Sequence, residues 1–202
     1  NVSHEAQTPL SIISSKLELL MQETNYTPKQ NELLSQTYRA TQRLYKLNEA
    51  LILLTRIENK QFIETEAIEL TEAIDEKLEV LEDFIEAKQI TIDKEYNKKI
   101  NKELNPVLLN ILLNNLFINA IKYNLENDSN IKVQVDENSF WVENTSPADK
   151  INRQFIFERF NKNSASGSLG VGLSLIKKIV DFYNWQVTYS FKDGIHKFKI
   201  YM

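Results

Sequence analysis

Leu33, Thr37, Ala40, Leu44, Leu47, Leu51 and Leu54 follow one another at alternating four- and three-residue steps. Only a helix brings residues at that spacing onto one face, and the mean step of 3.5 is the period of helices that pack side by side along their length. The segment ahead obeys the same rule, with Leu10, Ile13, Leu17 and Leu20 in one apolar stripe. Between the two, Asn25-Tyr26-Thr27-Pro28 has the composition of a turn before a new helix. The pattern from Asn1 to about Glu58 therefore predicts a helical hairpin. Leu34, Ile52, Leu53 and Ile57 widen the buried face of its second helix beyond what a lone hairpin covers. Pairing of two copies into a four-helix bundle is expected, the alternative being packing onto the rest of the same chain.

After Glu58 the period changes. Ile74, Leu78, Leu81 and Ile85 share a helical face over residues 71–87, and residues 90–96 alternate like a strand. Pro106 opens a strongly apolar helix reaching about Asn124. Two alternating runs, 131–136 and 139–143, form a hairpin; a helix over about 169–183 and strands over 186–191 and 195–201 complete an α+β layer domain. The 202 residues are 42% hydrophobic and 26% charged, enough for a substantial core in one or two domains. A formal charge of -4 argues against a general affinity for nucleic acid or anionic lipid, and the lack of cysteine excludes disulfides and thiolate metal sites. No apolar run approaches the roughly 20 residues of a spanning helix. The first residue is Asn1 rather than methionine, so we expect a cut through a longer protein, with any sensor or membrane segment upstream.

Three constellations carry chemistry. The octet Ser3-His4-Glu5-Ala6-Gln7-Thr8-Pro9-Leu10 sets one of two histidines beside a carboxylate. A neutral imidazole is nucleophilic near physiological pH, and Glu5 could accept the ring's other N–H to leave the attacking nitrogen unprotonated; the alternative is a surface pair. On the later apolar helix Asn115 and Asn119 lie one turn apart, with Lys122 and Tyr123 extending their face. Asparagine is a mediocre helix former, but its amide oxygen can ligate Mg²⁺ while a nearby lysine meets phosphate oxygens. A solvent-facing polar stripe would look the same. Finally, Ser166-Gly167-Ser168-Leu169-Gly170-Val171-Gly172-Leu173 holds three of the four glycines and runs into a helix, which suits backbone N–H groups approaching phosphate. In the preceding Phe155-Ile-Phe157-Glu-Arg159-Phe160-Asn-Lys162 the aromatics read as core, and Arg159 and Lys162 stand where they could neutralise a terminal phosphate.

With these motifs in this order, the chain resembles the catalytic core of a bacterial two-component sensor histidine kinase: a phosphoacceptor box at His4-Glu5 to Thr8-Pro9-Leu10, then asparagine, phenylalanine and glycine boxes. The resemblance implies a dimerising, histidine-phosphotransfer hairpin over residues 1–60. Residues 61–202 would form an α/β sandwich ATP-binding domain of the Hsp90 and histidine kinase type. It implies ATP-dependent phosphorylation of His4, relay to an aspartate of a response-regulator receiver domain, and a cytoplasmic portion of a membrane-anchored protein. By position, Glu5 is the general base or orienting partner and Thr8 positions water for dephosphorylating the regulator. Asn119 matches the Mg²⁺ ligand. Asn115, Lys122 and Tyr123 match nucleotide contacts, and Gly167, Leu169, Gly170, Gly172 and Leu173 belong to the glycine box.

The chain also departs from the family. Where the family has an aspartate that accepts from the adenine amino group, followed by two glycines, this chain reads Asn144-Thr-Ser146-Pro-Ala148. Alternation puts Asn144 on the face of Phe140 and Val142, so its amide oxygen replaces the carboxylate without the charge. Asn144→Asp is accordingly expected to tighten ATP binding or leave it unchanged. Ala6 and Gln7 replace a common leucine and arginine, and Asn184-Trp185 stands where paired glycines often close the last helix. The remaining histidine, His196, reads as structural or exposed. Two other readings stay open: a degenerate kinase acting as a dimeric scaffold or phosphatase with little or no ATP binding, and an Hsp90-like ATPase without phosphotransfer.

Overall fold

The computed structural model describes residues 2–23, 25–146 and 171–202, with side chains from Gln7 onward. The chain divides into two compact units, Asn1–Arg56 and Ile57–Met202. No helix among the described residues is long and apolar enough to cross a membrane.

In the first unit α1 (Val2–Met21) and most of α2 (Pro28–Glu58) form the hairpin. Thr27 explains why α2 begins where it does. Its hydroxyl accepts from the Gln30 amide at 3.3 Å while the Gln30 side chain accepts from the Thr27 amide at 2.8 Å, a reciprocal cap completed by Pro28 in the first turn. Two side-chain bonds set the register between the helices: Tyr38 Oη donates to Glu18 at 2.9 Å and Gln42 Nε2 donates to Ser14 Oγ at 2.6 Å. Leu10 and Leu17 are buried on the same face of α1 as Ser14. Here the structure departs from the expected single stripe. Ile13 and Leu20 are exposed, as are Leu33, Leu44 (53% exposed) and Leu51. Leu33, Leu44 and Leu51 of the α2 stripe thus stay uncovered by the hairpin, whereas Leu54 of the same stripe is buried.

The second unit is a two-layer sandwich. Strands β2 (Thr91–Tyr96), β4 (Asn130–Asp136), β5 (Ser139–Thr145), β7 (Ile195–Tyr201) and β6 (Gln186–Lys192) lie in that order, with β2 parallel to β4 and the others antiparallel. Helices α3 (Leu70–Val80), α5 (Pro106–Lys122) and α6 (Gly172–Phe182) make the second layer, α5 against β5 and α6 against β6. Strict alternation drives Ile131, Val133, Val135, Phe140, Val142, Phe198 and Ile200 into the core against Leu108, Leu112 and Phe117 of α5 and Ile176 and Ile179 of α6. The opposite face is ionic: Lys132 pairs with Glu95 at 2.8 Å and Lys197 with Glu143 at 2.7 Å, and the ammonium groups of Lys197 and Lys199 cover Trp141 at 4.2 and 4.3 Å from the ring centroid.

Two local expectations need correction. The helix predicted over 71–87 breaks at Leu81 into α3 and α4 (Glu82–Ala87). At the break the Leu81 amide takes the tighter bond to the Leu78 carbonyl at 3.1 Å, yet Ile74, Leu78, Leu81 and Ile85 all stay buried, so the apolar spacing cannot reveal it. A two-stranded sheet of β1 (Glu66–Glu69) and β3 (Asn101–Leu104) was not expected, because β3 has four residues and almost no apolar alternation. Asn105 then fixes the start of α5: its side chain accepts from the Leu108 amide at 3.1 Å and donates to the Glu64 carbonyl at 2.7 Å.

Candidate functional site

The described site gathers on the C-terminal half of α5, the start of α6 and the ends of β5 and β7. Asn115 and Asn119 are half-buried on α5. The Asn115 Nδ2 donates to the Ile111 carbonyl one turn back at 2.7 Å, which turns its Oδ1 toward α6. There it meets Gly172: a Cβ on that residue would lie 2.8 Å from Asn115 Oδ1 and 3.8 Å from Asn119 Nδ2. Real Cβ atoms do not come so near an oxygen, so any larger residue at 172 would have to displace the Asn115 amide or shift α6. The side-chain amide of Asn119 makes no hydrogen bond among the described residues. Helix α6 begins at Gly172, and Val171 at its N-cap makes no side-chain capping bond, leaving first-turn N–H groups and the positive end of the helix dipole beside two amides.

Lys122 closes α5 as an exposed cation, its ammonium 5.3 Å from the centroid of the Tyr123 ring. Lys88 Nζ donates to the Ile121 carbonyl at 2.8 Å, satisfying the end of the same helix. The ladder confirms the sequence reading of Asn144: it stands opposite Ile131 on one side and His196 on the other, on the buried face shared with Phe140 and Val142. Its Nδ2 donates to the Thr145 carbonyl at 2.8 Å and to the Tyr123 carbonyl at 3.4 Å, tying the end of β5 to the end of α5. An aspartate at 144 would lose both bonds and set a carboxylate oxygen near the same carbonyls.

Around Asn144 runs a network that spacing alone could not disclose. Thr145 Oγ1 donates to Asn124 Oδ1 and accepts from the Asn130 amide at 3.1 Å; Asn124 Nδ2 donates to the Asn130 carbonyl at 3.1 Å. His196, expected to be structural or exposed, is buried at 3% exposure, with Nδ1 2.7 Å from Tyr189 Oη and its ring against Phe191 at 4.6 Å. Burial pulls its pKa below the usual 6.5. Its alternation within β7 marked it as inward-facing, but only the β5–β7 register reveals its neighbour.

Of the other expected site residues, His4, Glu5 and Thr8 lie on α1, where Thr8 is exposed, Pro9 lies inside the helix, and the side chains of His4 and Glu5 are outside the described set. Leu173 is half-buried in the first turn of α6. Arg159, Lys162, Gly167, Leu169 and Gly170 fall outside the described residues. A separate cleft of about 410 Å³ between β1, α3 and α5, rimmed by Glu66, Glu69, Glu72 and Glu76, shares no residue with this site. Among the described residues no group of three or more His, Cys, Asp or Glu side chains gathers as a metal site would.

Two family models match the chain. The His Kinase A (phospho-acceptor) domain covers residues 1–60, and the histidine kinase-, DNA gyrase B- and HSP90-like ATPase covers residues 104–201. The sensor histidine kinase HprS of Escherichia coli is 26% identical over 207 aligned positions, spanning 99% of this chain and 45% of HprS. The heme sensor protein HssS of Staphylococcus aureus is 31% identical over 204 positions, spanning 94% of this chain and 42% of HssS. Full-length ShkA in complex with AMPPNP has the same fold with a TM-score of 0.72 at 18% identity, over 98% of this chain and 44% of ShkA. The chain spans less than half the length of these proteins.

Proposed function

We propose that this chain, which belongs to the sensor histidine kinase family, transfers the γ-phosphoryl group of ATP to His4 and relays it to an aspartate of a response-regulator receiver domain. In the first transfer a ring nitrogen of His4 bonds to the γ-phosphorus, the bond from that phosphorus to its bridging oxygen breaks, and ADP leaves with the electron pair. Glu5 would orient the ring by accepting its other N–H and the proton released there. In the second, the receiver carboxylate takes the group from nitrogen. Thr8 lies one turn beyond His4 and would orient water for hydrolysing the phosphorylated regulator.

The observation that carries this reading is the meeting of Gly172 with Asn115 and Asn119. It joins uncapped helical N–H groups, suited to phosphate oxygens, with an amide whose oxygen is free to bind a hard cation. Mg²⁺, when bound, would neutralise phosphate charge; the neutral amide oxygen of Asn119 fits one of its ligand positions, phosphate and water oxygens supplying the rest. Lys122 would face the phosphates, Tyr123 and Asn115 the nucleotide, and Asn144 the adenine amino group. Arg159, Lys162, Gly167, Leu169 and Gly170 enter on the family resemblance alone. Two copies would associate through the hairpin, which the exposed Leu33, Leu44 and Leu51 support. The chain would be the cytoplasmic part of a longer, membrane-anchored protein.

Incubating the purified chain with γ-labelled ATP and Mg²⁺ tests this directly. An acid-labile protein label, absent in His4→Ala, is expected. No label and no nucleotide binding would overturn the kinase reading in favour of a signalling scaffold, while ATP hydrolysis that persists unlabelled in His4→Ala would favour an ATPase.

A further inference from the structure

Strand β1 offers a free edge within the second unit. It pairs only with β3, in a register running from Glu66 opposite Leu104 to Glu69 opposite Asn101. The next residue fixes which pairs exchange hydrogen bonds. The Leu70 amide donates to the Ile100 carbonyl at 2.8 Å, so the bonded pairs alternate back through Ile68 with Lys102 and Glu66 with Leu104. Ala67 and Glu69 therefore point their main-chain groups away from β3, and among the described residues the Ala67 N–H and C=O and the Glu69 N–H meet no partner. The cleft of about 410 Å³ lies along this edge: all four residues of β1 line it, α3 and α5 form its walls, and β3 contributes nothing. Buried Leu109 and Leu113 make its floor, and Val80 stands at its rim, 71% exposed. An open strand edge beside an apolar trough is the arrangement in which an extended peptide adds as a further strand and sinks alternate side chains.

We propose that this edge and trough form a docking site for an extended, basic segment of a partner protein, bound as a third strand beside β1. Charge selects the occupant. Glu66, Glu69, Glu72 and Glu76 line the cleft, and Lys77 is the only cation among its lining residues. Lys99 offsets part of this charge by pairing with Glu69 at 3.4 Å and Glu72 at 3.6 Å, while Glu66 and Glu76 make no ion pair among the described residues. A second copy of this chain would bring the same carboxylates edge to edge and be repelled. A segment with cations alternating with apolar residues satisfies both features: its apolar side chains cover Leu109, Leu113 and Val80 while its cations face the glutamates. Main-chain bonds to Ala67 and Glu69 would supply affinity, and the trough and the carboxylates the choice of sequence.

The test titrates the purified chain, at low ionic strength, with a blocked hexapeptide of alternating lysine and valine, and with its glutamate-valine counterpart as control. The basic peptide is expected to bind and the acidic one not to. Exchange of the Ala67 and Glu69 amide hydrogens should slow about tenfold at a peptide concentration about ten times the dissociation constant. An occupant held by charge alone, or docked as a helix, would leave those amides unprotected. Ala67→Pro removes an N–H that β3 does not use, so it should keep the melting temperature. It should weaken the basic peptide about 3- to 10-fold, the worth of one main-chain bond. Glu72→Gln/Glu76→Gln should weaken it about 2- to 10-fold, and less as salt is added. Unchanged exchange at Ala67 and Glu69 in the saturated, unaltered chain overturns the proposal, as does a basic peptide that does not bind. Equal affinity for the two peptides, or a folded Ala67→Pro chain that binds as the unaltered one does, overturns it as well. The amide readout needs no substitution, so the proposal stays refutable even if Ala67→Pro does not fold.

Discussion

Gly172→Ala puts the candidate site's tightest contact under load. The added Cβ would lie 2.8 Å from Asn115 Oδ1, and that oxygen cannot simply rotate away, because its amide nitrogen is held by the Ile111 carbonyl at 2.7 Å. Three magnitudes compete. Alanine in place of glycine gains up to about 1 kcal/mol of helix propensity. Turning the Asn115 amide aside forfeits a hydrogen bond of about 0.5–1.5 kcal/mol, and if α6 shifts instead, overpacking costs about 1–3 kcal/mol. The propensity gain is smallest at the first residue of a helix, where Gly172 stands, so the net expectation is a loss of about 1–2 kcal/mol. Function should suffer more, since either relaxation moves Asn115 or the first-turn N–H groups away from where phosphate would bind. Urea denaturation reads the first effect and titration with ATP and Mg²⁺ the second. The second substitution in Gly172→Ala/Asn115→Ala removes the obstructing oxygen and should recover most of the stability but not the nucleotide affinity. A Gly172→Ala protein that is more stable by the propensity gain, with unchanged affinity, would refute the reasoning.

Asn144→Asp, which replaces the donor to the Thr145 and Tyr123 carbonyls, should lower stability by about 1–3 kcal/mol; chemical denaturation checks it, and a tighter ATP complex at undiminished stability would contradict it. Leu44→Glu/Leu51→Glu changes two exposed positions and should convert a dimer to monomer in light scattering while leaving helix content by circular dichroism unchanged. His196 contributes a pH dependence of definite sign. Its folded pKa lies below the usual 6.5, so the unfolded chain binds more protons in the window beneath that value. The stability the neutral ring contributes is present above about 6.5 and is lost as pH falls, and the difference in denaturation midpoint between pH 7.5 and 5 should shrink in His196→Phe.

Several elements could be read in advance because their cause is local. The Thr27-Pro28 start of α2, the Asn105-Pro106 start of α5 and the alternating strands around Phe140 and Val142 depend on side chains reaching their own backbone or on a period of two or 3.6. Leu81 was misread for the complementary reason, a break that leaves the buried face intact. Asn115, Asn119 and Gly172 were each conspicuous by residue type, but fifty residues separate the asparagine helix from the glycine, and their 2.8 Å approach exists only because α5 packs against α6. His196 lacked even that signal.

The sequence by itself determined most of the elements, the buried face of the central strands and the chemical types available for phosphate, metal and base, because these follow from spacing and from what each side chain can donate or accept. Only the tertiary structure decided which faces meet. It left Leu33, Leu44 and Leu51 of the regular stripe exposed while burying Leu54. It set Asn144 opposite His196, and it spent the Asn144 donor on main-chain carbonyls so that an acceptor remains. Such choices depend on strand order and helix packing, which are settled by burying the whole apolar surface at once and are written in no single stretch of chain.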